Sequence, residues 1–115
     1  LKEKTVKKFN SLSEFYPYYL NEHRNQTCRI FHFIGTSGFI VNLVLAIILA
    51  KPLLLLLGLT IGYGSAWIGH FMFERNKPAT FSYPFYSLVS DFIMFFHMIT
   101  FQLKKQFRKH GIQEF

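Results

Sequence analysis

"IVNLVLAIILAKPLLLLLGLTI" spans residues 40–61, and its only polar side chains are Asn42, Lys51 and Thr60. A helix of a small soluble domain needs a wet face, and neither half of this stretch has one. "AKP" at 50–52 is a turn signal, with Pro52 suited to open the next helix. Upstream of that turn, Ile30 to Ala50 is 21 residues. At about 1.5 Å of rise per residue this is close to the thickness of a bilayer core. Downstream, the apolar character continues to Glu74. The reading is an antiparallel transmembrane hairpin, one helix over 27–50 and the next over 52–74.

The flanks complete an all-α integral membrane bundle with one domain over residues 1–115. Residues 1–8 read as a basic arm. Ser11 sits three residues before Glu14, a capping-box spacing, and Phe15, Tyr16, Tyr19, Leu20 and His23 follow at helical intervals. An amphipathic, aromatic helix over 9–24 is expected at the membrane interface. "HRNQT" breaks the chain, with Asn25 or Thr27 placed to cap the first long helix. "RNKPATFSYP" (75–84) is a loop rich in turn formers, and a third long hydrophobic helix is expected over 85–107.

Half of the residues are hydrophobic, 15 of them are Phe, and the net charge is +7. The basic residues gather at Lys2, Lys4, Lys7 and Lys8, at Arg24 and Arg29, and at Lys104, Lys105, Arg108 and Lys109. Such ends suit anionic lipid headgroups. No nucleic-acid motif accompanies the charge, so the bilayer is the expected partner. Both basic ends are expected on the cytoplasmic side. The single cysteine, Cys28, excludes an internal disulfide and any multi-cysteine metal cluster.

Residues four apart share one helix face, and Gly58, Gly62, Ala66, His70 and Glu74 follow that spacing. The small residues predict a close helix–helix seam that ends at an imidazole and a carboxylate. In the preceding helix His32, Gly35, Thr36, Gly38 and Asn42 form a comparable stripe. His32 stands near the start of one helix and His70 near the end of the other, so an antiparallel hairpin sets both at one membrane level. His23, just before the break, can fold to the same level, and Asp91 in the third helix can approach it. Ionisable groups at membrane depth cost roughly 2.5–3.5 kcal/mol and mark function by default. Imidazoles suit iron, zinc or copper, and carboxylates add a harder ligand. His97, among Phe and Met, reads as a hydrogen-bonded bundle residue, and His110 as a solvated one. The glycine stripes could serve within one chain or between two, so a homo-oligomer stays open.

Two segments carry a resemblance to a known family. "SLSEFYPYYLNEHRNQTCRIFHFIGT" (11–36) and "GYGSAWIGHFMFERNKPATFSYPFYSL" (62–88) resemble the membrane 2-hydroxy fatty acid dioxygenases. That family includes a fungal protein of phytosphingosine degradation and small bacterial relatives. The resemblance implies an iron(II)-dependent oxidoreductase that uses molecular oxygen to shorten 2-hydroxy fatty acids by one carbon. It implies His23, His32 and His70 as metal ligands, with Glu74 completing the last motif; Glu74 or Asp91 is then expected as a further ligand or a catalytic partner that orients an imidazole. Arg24, Arg75 or Lys77 would neutralise the substrate carboxylate. Zinc could replace iron in a purified sample. The implied location is the bacterial inner membrane, or the endoplasmic reticulum membrane of a eukaryote. The competing readings are a non-catalytic lipid-binding membrane protein with structural histidines, and a small proton or metal transporter.

Overall fold

The computed structural model describes residues 9–114, so the basic arm expected at 1–8 lies outside the described residues. Five α-helices follow in order: α1 (Leu12–Asn21), α2 (Gln26–Ile48), α3 (Leu53–Ile68), α4 (Pro84–Ile99) and α5 (Leu103–Lys109). The helix of α3 widens into a π-helical turn over Gly69–Glu74 before the chain leaves it.

Each boundary has a local cause. The Ser11 hydroxyl accepts the Glu14 N–H at 3.3 Å, and the Glu14 carboxylate accepts the Asn10 N–H at 3.1 Å. The expected capping box therefore forms, displaced by one residue on its return bond. Asn25 caps α2 by accepting from the amides of Thr27 and Cys28 at 2.9 and 3.2 Å. The hairpin turn closes with Lys51 N–H on the Ala46 carbonyl at 3.0 Å and Ala50 N–H on that of Ile47 at 3.3 Å. This pattern needs a left-handed residue, and Ala50 supplies it at φ 54°.

α2 and the helix from Leu53 to Glu74 are long and apolar enough to cross a membrane. Their outer faces are bare: Ile47, Ile48 and Leu53 are each at least 70% exposed. Such surface is stable only against hydrocarbon. Between them runs the predicted small-residue seam. A Cβ on Gly35 would stand 2.8 Å from the Gly62 carbonyl oxygen, and one on Gly58 would stand 2.9 Å from the Cβ of Asn42.

The third hydrophobic segment departs from expectation. It does not run as one helix over 85–107 but bends by 115° between α4 and α5. Phe101 takes φ 59° there, and Gln102 N–H returns to the His97 carbonyl at 2.8 Å. A left-handed residue ends a helix as surely as it ends α2 at Ala50, and composition alone does not reveal it. α5 then folds back, so that Leu103 and Phe107 join Phe15, Tyr19, Leu20 and Met94 in an aromatic core. That core stands at the open end of the hairpin. The last described residues return there too: the Arg24 Nε–H donates to the Gln113 carbonyl at 2.7 Å, and Arg29 pairs with Glu114.

Candidate metal centre

Three segments deliver one imidazole each to the open end of the hairpin. His23 follows α1, His32 stands on the second turn of α2, and His70 opens the π-helical turn beyond α3. All three are buried, His23 completely. Their Nε2 atoms form a triangle: 3.0 Å from His23 to His32, 3.0 Å from His32 to His70, and 2.9 Å from His70 to His23.

The opposite ring nitrogens decide what that triangle is. His23 Nδ1 lies 2.6 Å from the Tyr19 carbonyl, which can only accept, so the proton is on Nδ1 and Nε2 is bare. His70 Nδ1 lies 2.7 Å from Asn76 Oδ1. The Asn76 amide is oriented by its NH2, which donates to the Glu22 carbonyl at 3.0 Å and the Glu22 carboxylate at 3.1 Å. His70 must therefore also donate through Nδ1 and present a bare Nε2. His32 Nδ1 faces the Asp91 carboxylate at 3.5 Å. The bare Nε2 atoms of His23 and His70 thus point at each other and at His32 Nε2, an arrangement that repels unless a proton or a cation sits among them. An outer partner that fixes the tautomer of each ring is the usual companion of a metal-ligating histidine. Burial, and then the facing His32 and His70, hold His23 well below the ordinary histidine range, so the ring is neutral and competent to ligate.

The supporting shell is aromatic and polar. Tyr19 stacks on His23 with ring centroids 4.0 Å apart, and its hydroxyl donates to Asp91. Burial, and then Asp91, push the Tyr19 hydroxyl well above its ordinary value, so it remains a donor. The buried Arg29 donates to the His23 carbonyl at 2.7 Å. Arg75 takes φ 62°, a strained conformation that folds Asn76 back so that its N–H meets the His70 carbonyl at 3.1 Å.

Two neighbouring recesses adjoin the histidines. One is lined by the three histidines together with Asp91, Ser87 and Thr80. The other runs between α2, α3 and α4 past Phe39, Leu59, Leu88 and Phe92. His32, Tyr63, Ala66 and Asp91 line both.

The remaining predicted residues are placed differently. Asp91 is at the site, facing His32. Glu74 is not in the cluster: its carboxylate accepts the Asn25 N–H at 2.7 Å and ties the end of the second span to the start of α2. The π-helical turn widens the helix between His70 and Glu74, so the four-residue spacing no longer stacks them. Arg24, Arg75 and Lys77 line neither cavity. Arg24 is engaged with Gln113, while Arg75 and Lys77 border a separate open recess with Phe71 and Met72. His97 is hydrogen-bonded, its Nδ1 lying 2.8 Å from the Tyr16 hydroxyl. Sequence reasoning did not single out Asn76 or Tyr19 as histidine partners. The only signal was that both lie within six residues of a histidine in a chain poor in polar groups.

A buried tri-imidazole cluster at the open end of a membrane hairpin defines a helical membrane protein able to hold a metal ion. Residues 9–103 match the family model described as 2-hydroxy-palmitic acid dioxygenase Mpo1-like, and the chain belongs to this Mpo1-like family. No curated protein and no solved structure matches it.

Proposed function

We propose that the protein is an iron(II)-dependent dioxygenase that shortens 2-hydroxy fatty acids by one carbon at the membrane surface. The observation that carries this reading is the set of three converging Nε2 atoms, two on rings with tautomers locked by Tyr19 and Asn76 and the third on a ring facing Asp91. The family's description supplies the substrate class.

The donor set fits a ligand-poor iron site. The Nε2 separations of 2.9 and 3.0 Å are short enough for His23, His32 and His70 to hold one ion together. An ion held by three protein ligands would keep positions open for substrate and oxygen. When bound, the metal supplies oxygen activation and a Lewis-acid anchor for the carboxylate and adjacent hydroxyl of a 2-hydroxy acid.

The chain's own groups do the rest. His23, His32 and His70 hold the ion. Asp91, the one carboxylate facing both His32 and the cavity, orients that ring and accepts from Tyr19. The apolar groove past Phe39, Leu59 and Phe92 takes the acyl chain. Glu74 serves the site through Asn25, by fixing the α1–α2 break that carries His23. Arg24, Arg75 and Lys77 act at the headgroup level, outside the cavity. The non-catalytic alternative needs the three rings to satisfy one another by hydrogen bonds. The Nδ1 partners of His23 and His70 argue against it, because the protons of those two rings lie on the opposite nitrogens.

The test is anaerobic reconstitution with ferrous iron, then 2-hydroxypalmitic acid and oxygen, with products read by mass. The expected product is one carbon shorter, absent in His70→Ala. A fully active His70→Ala enzyme, or no product from iron-loaded wild-type protein, would refute the assignment.

A further inference from the structure

Ser87 stands on the first turn of α4, 3% exposed, and is one of the residues that line the cavity beside the histidines. Among the described residues that hydroxyl has no hydrogen-bond partner. A buried hydroxyl without a partner costs about 1–3 kcal/mol, and nearly all buried polar groups avoid that cost. A helical serine would ordinarily turn back to the carbonyl four residues upstream, and Ser87 does not. Ser90, one turn on, is equally buried and unpartnered, but it lines neither cavity.

The polar groups nearest the imidazoles are committed. The Tyr19 hydroxyl is on Asp91, and the Nδ1 atoms of His23 and His70 are on Tyr19 and Asn76. The cavity has no arginine or lysine in its lining, and its one formal charge is the Asp91 carboxylate. An acidic ligand arriving there would meet no fixed cation, and Ser87 is a buried donor without a partner beside it.

We propose that Ser87 is a substrate-binding residue whose hydroxyl donates to the carboxylate of a 2-hydroxy acid. It holds the oxygen turned away from the metal and thereby selects the free acid over its ester. This rests on the reading of the site given above. It also accounts for the absence of a basic residue from the cavity: the metal balances the ligand's charge, and Ser87 fixes its orientation. The orphaned hydroxyl is a stability cost that ligand binding removes.

The experiment uses the full chain in detergent, loaded with zinc, which is redox-inert and blocks turnover. Binding of 2-hydroxypalmitic acid and of its methyl ester is measured by calorimetry for wild type and Ser87→Ala. A lost hydrogen bond to a charged group predicts about 10- to 100-fold weaker binding of the acid. The ester should bind both proteins equally. Melting provides a second readout: Ser87→Ala should be at least as stable as wild type, because the orphaned group is gone. Wild type binding the acid with Ser87→Ala binding it equally well overturns the role of Ser87 alone. Wild type failing to bind the acid overturns both that role and the substrate reading on which it rests.

Discussion

The sharpest consequence of the site's construction falls on a residue that touches no metal. Asn76 fixes the His70 tautomer through a single 2.7 Å contact, and its own orientation is fixed by two donations to Glu22 at 3.0 and 3.1 Å. Asn76→Leu keeps the volume and removes all three. The His70 Nδ1–H is then orphaned in a buried ring, at a cost of about 1–3 kcal/mol. The ring can escape by moving its proton to Nε2, which fills the lone pair needed for ligation. Either route taxes metal binding, and outer-partner losses of this kind run at about 10- to 100-fold in affinity. That range is about 1.4–2.8 kcal/mol, the same size as the orphaned donor. Asn76→Asp retains an acceptor for His70 but faces the Glu22 carboxylate, so it should fall between the two. The assay is zinc competition against a chromophoric chelator in detergent, with circular dichroism confirming helix content. Affinity of Asn76→Leu within twofold of wild type, at unchanged helicity, would refute the locked-tautomer argument.

Other consequences follow from the same geometry. His23 is held below its unfolded value of about 6.5 by burial and its neighbouring rings, so the folded apo protein binds fewer protons than the unfolded chain. Its stability contribution is therefore whole above about pH 6.5 and is lost as pH falls towards the lowered folded pKa. Apo melting temperature should drop across that window, and His23→Gln should flatten the drop. Ala50 holds a left-handed turn position at φ 54°, which costs an L-residue about 1–2 kcal/mol and a glycine almost nothing. Ala50→Gly should raise stability by up to about 1 kcal/mol after glycine's greater unfolded entropy is subtracted, read by denaturation in mixed micelles.

Much of this fold was legible in the sequence because lipid removes the ambiguity that water leaves. Residues 40–61 admit one stable environment, and AKP admits one way to reverse within it. The meeting of His32 and His70 followed from antiparallel pairing alone. The departures lie where backbone conformation, not composition, decides. Phe101 and Arg75 are ordinary residues in left-handed conformations, and each redirects the chain: one splits the third hydrophobic segment, the other delivers Asn76. The π-helical turn after Ile68 likewise breaks a four-residue periodicity that the sequence continues to Glu74. Tyr19 and Asn76 were invisible as histidine partners because a hydrogen bond to an imidazole has no sequence signature. Only the fold makes them neighbours.

The glycine seam bears on the metal centre unequally along its length, and that inequality can be measured. Gly69 directly precedes His70, and a Cβ there would meet the carbonyl oxygen and Cα of Cys28 at 3.0 and 3.1 Å. Those are backbone atoms one turn from His32, so they cannot swing aside. Gly69→Ala must push the end of the second span away from α2 by a few tenths of an ångström, and the Nε2 separation of His32 and His70 must grow with it. Gly58 lies three helical turns nearer the hairpin loop, where a Cβ would meet the Asn42 Cβ at 2.9 Å and the Phe39 carbonyl oxygen at 3.3 Å. Overpacking at either position costs about 1–3 kcal/mol of stability. Only the change beside His70 should also weaken zinc binding, by about tenfold or more, because ligand geometry tolerates little displacement. Equal losses of affinity in Gly69→Ala and Gly58→Ala would mean that the seam acts on the site only through global stability. A loss confined to Gly69→Ala would mean that the spacing of the two helices at their open end sets the spacing of the ligands.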